Sequence, residues 1–276
     1  MLNFLRSRVS FKKSTPPSGP MTTAAVSAAT CIGSRSGNQD TFRAGTMVIC
    51  SPPRKKFFRQ STLSWSGVEL FCVCDGVGGA YKGETAAKGA LLAIDQYLRQ
   101  TAQHQLSLSQ VLMEAAEAAQ QWVQRFYRSN GLPGGCTLTM VGICGEEYAF
   151  LNIGDSPAFL LPPDHGILEM SNRHNLAWEN LRNDLPVEDG DDSRLLAYLG
   201  MPGVTAEHIA HTQIGILEPG CRMLLCSDGI TNVLAPESLE QALRSGMTAM
   251  EIAQNASIPS DADNCTLVCL EILSTP

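Results

Sequence analysis

The chain has 276 residues, 44% hydrophobic and 17% charged, enough to bury a sizeable core in a single soluble globular domain. Its 27 acidic against 20 basic side chains leave a net charge of −7, which excludes the basic footprint that nucleic-acid binding draws on. Ten cysteines occur with no CxxC pair, which argues against a zinc site or a disulfide scaffold and for buried reduced thiols in the cytoplasm.

Residues 1–20 carry Arg6, Arg8, Lys12 and Lys13 and end in a Pro/Ser/Gly run, a composition that cannot pack a core and reads as a flexible basic leader. No apolar stretch of signal-peptide length follows it, and no run of about 18 apolar residues occurs elsewhere, so no transmembrane helix is expected. Residues 21–276 are read as the folded domain. A second basic stretch, Ser51 to Arg59, reads as a surface loop between early strands, ahead of the strand-like run Val68 to Cys74.

Residues 84–100 and 109–128 carry helical periodicity, with Ala87, Leu91, Ile94 and Leu98 on one face and Val111, Ala115, Ala118, Trp122 and Phe126 on the other. Ser107 and Gln110 have the spacing of a capping box. Strand-like runs follow at Thr137 to Cys144, Tyr148 to Ile153 and Ala158 to Leu161. The polar stretch 164–203 then holds the segment Asn175 to Leu185 and a short predicted helix, Ser193 to Leu199, closed by Gly200. Beyond it come strands at His208 to Ile214, Met223 to Cys226 and Cys265 to Ile272. Two helices lie between the last pair: Pro236 to Arg244, with proline in its first turn, and Thr248 to Gln254, opened by a Thr248 and Glu251 box. Strands outnumber helices and short Gly- or Pro-containing turns join most of them, so an α+β fold of antiparallel sheets with helices packed outside is expected, not a doubly wound parallel sheet.

Aspartate repeatedly stands where an apolar strand ends: Asp75 after Phe71-Cys-Val-Cys, Asp155 after Leu151-Asn-Ile-Gly, Asp228 after Met223-Leu-Leu-Cys-Ser. Asp263 stands just before the last strand. One such residue is an ordinary turn or cap. Four of them converging in a partly desolvated place would repel, and a hard divalent cation answers that charge with oxygen ligands, where Mg²⁺ or Mn²⁺ fits better than zinc. Asp75-Gly-Val-Gly-Gly79 adds a turn that lets backbone approach a metal or phosphate, without the spacing of a dinucleotide fold or a P-loop. Arg35, five residues before Asp40, is suited to bidentate capture of phosphate oxygens.

The ordered set Arg35…Asn38-Gln-Asp40, Asp75-Gly-Val-Gly-Gly79, Gly135-Cys-Thr137, Asn152-Ile-Gly-Asp-Ser156, Ser227-Asp-Gly229 and Asp263-Asn-Cys-Thr266 resembles the metal-dependent serine/threonine protein phosphatases of type 2C (PPM), in their bacterial single-domain form. The resemblance implies a central antiparallel β-sandwich flanked by helices on both sides, with the site at one end between the sheets. It implies that Asp75 bridges two Mn²⁺ or Mg²⁺ ions, that Gly76 contributes a backbone carbonyl, and that Asp228 and Asp263 complete one shell. Asp40 would contact the second ion, Arg35 would bind phosphate, and Asp155 would help hold a weaker third ion. Residues 164–203 correspond to a flap beside the site, with His174 a candidate for orienting substrate. Three positions depart from the pattern: Val77 removes a possible general acid, Pro157 replaces a frequent arginine, and Asn232 replaces an aspartate tied to the third ion.

The expected chemistry is direct hydrolysis of phosphoserine and phosphothreonine in proteins by water activated between two cations about 3.5–4 Å apart, with no phosphoenzyme. No cysteine lies in a CxxxxxR loop, so a cysteine nucleophile is excluded. The expected partner is a phosphoprotein substrate, opposite a serine/threonine kinase, with the chain a monomer. The rival readings are a small-metabolite phosphatase of the same fold and a non-catalytic pseudophosphatase binding module; retention of the metal carboxylates speaks against the latter.

Overall fold

The computed structural model describes residues 21–50, 56–77, 82–100 and 106–276. The predicted leader lies outside the described residues. Two antiparallel six-stranded sheets stack face to face. The first runs β4 (Lys56–Trp65), β1 (Thr22–Cys31), β12 (Cys265–Ser274), β11 (Arg222–Cys226), β8 (Ala158–Leu161), β9 (Leu168–Glu169). The second runs β10 (His211–Ile216), β7 (Glu147–Ile153), β6 (Leu138–Cys144), β5 (Glu69–Cys74), β2 (Thr41–Ala44), β3 (Met47–Cys50). The helices α1 (Gly83–Gln100), α2 (Leu108–Asn130) and α4 (Ala206–Ile209) cover the outer face of the second sheet. The helices α5 (Asp228–Thr231), α6 (Pro236–Arg244) and α7 (Ala249–Ala256) cover that of the first. The expected α+β sandwich flanked by helices is the observed fold.

Strand β5 shows why its sequence is apolar throughout. Phe71 and Val73 point between the sheets, while Leu70, Cys72 and Cys74 point out against α1 and α2, so both faces of the strand are buried. Phe42, Val141, Phe150, Met223 and Leu270 fill the inter-sheet layer with Phe71, whose ring meets Trp65 edge-on at 5.9 Å. The capping boxes at Ser107 and Thr248 form as their spacing predicts. Nine of the cysteines, Cys50 apart, are seen to take no part in a disulfide among the described residues. No helix among the described residues is long and apolar enough to cross a membrane.

The structure corrects several expectations. Lys56 to Arg59, read as loop, opens edge strand β4, with Phe57 opposite Thr30; residues 51–55 lie outside the described residues. Ser193 to Leu199 is not a helix. Leu196 is exposed, Ala197 buried, Tyr198 half-buried and Leu199 buried, an alternation of two, and Leu195 and Leu199 form single bridges to Asn175 and Cys136. The helix of this region is α3 (Leu176–Arg182), capped by the Asn175 side chain. The strand expected from His208 begins at His211, because α4 takes the residues before it. On α2 the deep stripe is Leu112, Ala116, Ala119, Val123 and Tyr127, beside Val111 and Ala115, with Trp122 and Phe126 stacked at its margin.

Register carries the strand ends to one place. Thr41 opposes Cys74, Leu138 opposes Ile153, Cys226 opposes Leu267 and Cys31 opposes Cys265. Asp40, Asp75, Asp155, Asp228 and Asp263 therefore all leave the sheets at the same end of the sandwich. Truncating Phe71 to alanine in the inter-sheet layer should destabilise the fold by about 3–5 kcal/mol, read from the denaturation midpoint.

Candidate active site

The cleft at that end has a volume of about 570 Å³ and is lined by Arg35, Asp75, Gly76, Asp155, Asp228 and Asp263, among others. Asp75 is placed by its backbone: its N–H donates to Thr137 Oγ1 at 2.9 Å, and its carbonyl accepts the Thr137 N–H at 2.8 Å. The Thr137 hydroxyl is paired with Ser156 at 2.7 Å, so the turn after β5 is tied to the one after β7. Gly76 lies so close to Gly83 that a Cβ on it would stand 2.4 Å from the Gly83 carbonyl carbon. Only glycine lets the Asp75 turn seat on the start of α1.

The Arg35 loop, which leaves β1, is held from the start of its neighbour β12. Asn264, nearly buried, donates from Nδ2 to the carbonyls of Ile32 and Gly37 at 2.9 and 3.0 Å and accepts the Gln39 N–H at 2.8 Å. Gly33 adopts φ of +62° against the Asp263 carbonyl, a conformation and a proximity that exclude a side chain. Arg35 Nη2 donates to Asp263 Oδ2 at 2.7 Å at the exposed rim of the cleft.

Asp40 is fully buried behind the cleft wall and does not line it. Its Oδ2 accepts from Ser227 at 2.8 Å; its Oδ1 has no donor among the described residues. Burial raises its pKa to about 6 despite hydrogen bonds from Thr266 and Ser227. Asp75, within hydrogen-bonding reach of Asp40, is pushed well above the usual carboxylate range, first by burial and then by the charges of Asp40, Asp228 and Asp155. Burial and the Asp228 charge raise Asp155 to about 7, and burial and the Asp263 charge raise Asp228.

These residues fit divalent cations. The donors are hard oxygens, mutually repelling, and one buried carboxylate oxygen lacks a partner. Among the described residues no three carboxylate, imidazole or thiol groups are spaced to hold an ion by themselves, which suits cations that keep several waters. Asn232 donates to Asp228 Oδ2 at 3.3 Å and adds no charge beside Asp155.

His174 stands apart from the cleft lining. Its N–H donates to the Gly154 carbonyl at 3.0 Å, its Nδ1 accepts the Gly154 N–H at 3.2 Å, and its carbonyl accepts from Leu196. Burial, reinforced by nearby His211 and Arg182, lowers its pKa to about 4, so the ring stays a neutral acceptor that clasps residues 174–196 to the Asp155 turn. Sequence reasoning missed Glu84, Ser193 and Leu195 in the cleft lining and the fastening role of Asn264. For Glu84 and Leu195 no spacing in the sequence announced the convergence.

The protein phosphatase 2C family profile matches residues 57–261, and the chain belongs to that family of metal-dependent protein phosphatases. It is 26% identical over 223 residues to the serine/threonine phosphatase stp of Listeria monocytogenes serotype 4b (strain F2365), covering 73% of this chain and 84% of that protein. It is 23% identical over 209 residues to a putative protein phosphatase 2C-type of Streptococcus pyogenes serotype M6, covering 73% of this chain and 85% of that protein. The fold superposes with a TM-score of 0.72 and 20% identity on the catalytic domain of the serine threonine protein phosphatase PstP in complex with 2 manganese ions, over 92% of this chain and 100% of that one. The S. agalactiae serine/threonine phosphatase gives the same TM-score and identity over 90% and 99%.

Asn264→Ala should leave the Ile32 and Gly37 carbonyls and the Gln39 N–H unpaired, at a cost of about 2–4 kcal/mol. Thermal melting should show that loss, and proteolysis should find residues 32–40 newly susceptible.

Proposed function

We propose that this cleft hydrolyses phosphoserine and phosphothreonine in proteins, with Asp75, Asp228, Asp263, Asp40 and the Gly76 carbonyl holding two Mn²⁺ or Mg²⁺ ions and Arg35 engaging the phosphate. The observation that carries the reading is the crowding of Asp40, Asp75, Asp155 and Asp228, each pushed up by burial and by its neighbours, at the edge of an open cleft with a guanidinium on its rim. Structural turn aspartates have no need to share a desolvated space.

When bound, the cations supply positive charge to the carboxylates and the phosphoryl oxygens and acidify the attacking water. The residues of the chain orient the reaction. Thr137 and Ser156 keep Asp75 at the cleft wall, and Ser227 keeps Asp40 behind it. Arg35 spends one nitrogen on Asp263 and has the rest of its fork free to turn onto two phosphate oxygens. Val77 lines the cleft without a proton to give, so the leaving alkoxide takes its proton from water. Asp155 is the carboxylate for a weaker third cation, with Asn232 contributing no charge to it. Cysteines outside any disulfide among the described residues support a reducing cytoplasmic setting, where a serine/threonine kinase would supply the substrates and the chain would act as a monomer.

Activity on an aryl phosphate should require added Mn²⁺ or Mg²⁺ and vanish on chelation; full turnover after exhaustive metal removal would sink the mechanism. Arg35→Ala should lower kcat/KM by roughly ten- to a hundredfold in steady-state assays, the value of a lost charge-assisted bidentate contact. Asp75→Asn should leave the metal-free protein as stable as wild type or more so, because it removes one of the crowded charges. It should also lose most of the roughly 5–10 °C melting shift expected from Mn²⁺ at about 100 times its Kd. A mutant keeping the full shift would remove Asp75 from the metal site.

A further inference from the structure

The cleft of about 570 Å³ opens onto a surface that chain flanking a phosphoresidue would lie against. That surface is the flap. Ser193 and Leu195 line the cleft, and the exposed stretch 181–190 precedes them. Helix α3 buries none of its residues, and every residue from 181 to 190 is exposed. Leu181, Leu185, Val187 and Leu196 stand 62%, 54%, 46% and 45% exposed, a concentration of open apolar side chains within sixteen residues.

The segment is nonetheless internally organised. Asp191 is buried, and its Oδ2 accepts from the Asn180 side chain and the Glu188 N–H, both at 3.0 Å. Its carbonyl accepts the Ala177 N–H, and the Arg194 carbonyl accepts that of Leu176. The His174 clasp fastens the same segment to the Asp155 turn. The apolar side chains are thus held outward by a fastened frame, which lowers the ordering cost of whatever covers them. Around them stand Asp184, Glu188, Asp189 and Asp192, all exposed, against two exposed arginines, Arg182 and Arg194, in the same stretch.

We propose that the flap of this chain selects, in the substrate segment flanking the phosphoresidue, basic and apolar side chains. This rests on the phosphatase reading of the cleft and specifies its substrate class. Two observations commit the surface to this occupant: its continuity with the cleft through Ser193 and Leu195, and the complementarity to Lys or Arg of its exposed carboxylates, which outnumber its arginines. Apolar side chains of the substrate cover the leucines, its cations meet the acidic rim, and its phosphate reaches the cleft.

The test uses the full chain with Mn²⁺ and three phosphothreonine peptides that differ only in their flanks: Arg and Leu, Asp and Leu, or Ser and Gly. An aryl phosphate, too small to reach the flap, reports the cleft alone. Wild type should favour the Arg/Leu peptide over the Asp/Leu peptide by about tenfold in kcat/KM, carried by KM and shrinking with added salt. Glu188→Lys with Asp189→Lys should abolish or invert that preference. Leu181→Ser with Leu185→Ser should raise KM for both leucine-containing peptides by about three- to tenfold and leave the Ser/Gly peptide unchanged. Aryl phosphate kinetics should be the same in all three proteins. Equal treatment of the three peptides by wild type, or variants that keep the wild-type preference while hydrolysing the aryl phosphate normally, would overturn the proposal and leave the phosphatase reading standing. Absence of aryl phosphatase activity in metal-loaded wild type would instead bring down the phosphatase reading and this proposal with it.

Discussion

Carboxylates crowded into a poorly hydrated space repel one another, and much of the architecture at the cleft end of the sandwich answers that repulsion. Asp40 is wholly buried and Asp75 lies within hydrogen-bonding reach of it, with Asp155 and Asp228 close enough to raise its pKa further. A loose backbone would relieve the strain by letting the strand ends splay. This backbone is not loose: Thr137, Ser156, Ser227 and Asn264 fix the turns to one another through partners on different strands and in both sheets. The two sheets act as a vice in which a cation is the natural neutraliser. Packing between the sheets, from Phe71 and Phe150 to Met223 and Leu270, keeps the jaws in register.

Chemistry and recognition occupy different parts of the molecule for a physical reason. The carboxylates proposed to hold metal sit at strand ends, where regular hydrogen bonding holds them and a small displacement would cost activity. The flap hangs on a few side-chain hydrogen bonds centred on Asp191 and His174, and none of α3 is buried. Such a segment can change its outward residues without disturbing the cores, so specificity can vary while the cleft is kept.

Strands buried on both faces were the most legible elements. The runs that became β5, β6, β7, β8, β11 and β12 are mostly apolar, and the two capping boxes marked their helices. Strands β1 to β4 were harder to see. Thr22 to Cys31 is built of alanine, threonine and serine, small residues that satisfy a tight inter-sheet layer but carry little hydrophobic contrast, and the basic opening of β4 resembles a loop because an edge strand has one side in water. Ser193 to Leu199 was misread as a helix because its leucines are anchors for two separate bridges, to Asn175 and Cys136, a tertiary demand with no local period.

The sequence by itself determined the class of fold and the identity of the metal-site candidates. Aspartate at the ends of apolar strands, with glycine beside it, is a local pattern, and the order of six short motifs is visible without coordinates. Only the tertiary structure decided how those aspartates relate. It placed Asp40 behind Asp75 instead of on the cleft surface, bound Arg35 to Asp263, made His174 a clasp on Gly154, and brought Glu84 and Leu195 to the cleft. These facts depend on strand register and on contacts between residues as far as 228 positions apart, as Arg35 and Asp263 are. A linear pattern can show that a carboxylate ends a strand; which other charges share its space is fixed by how the sheets close on one another.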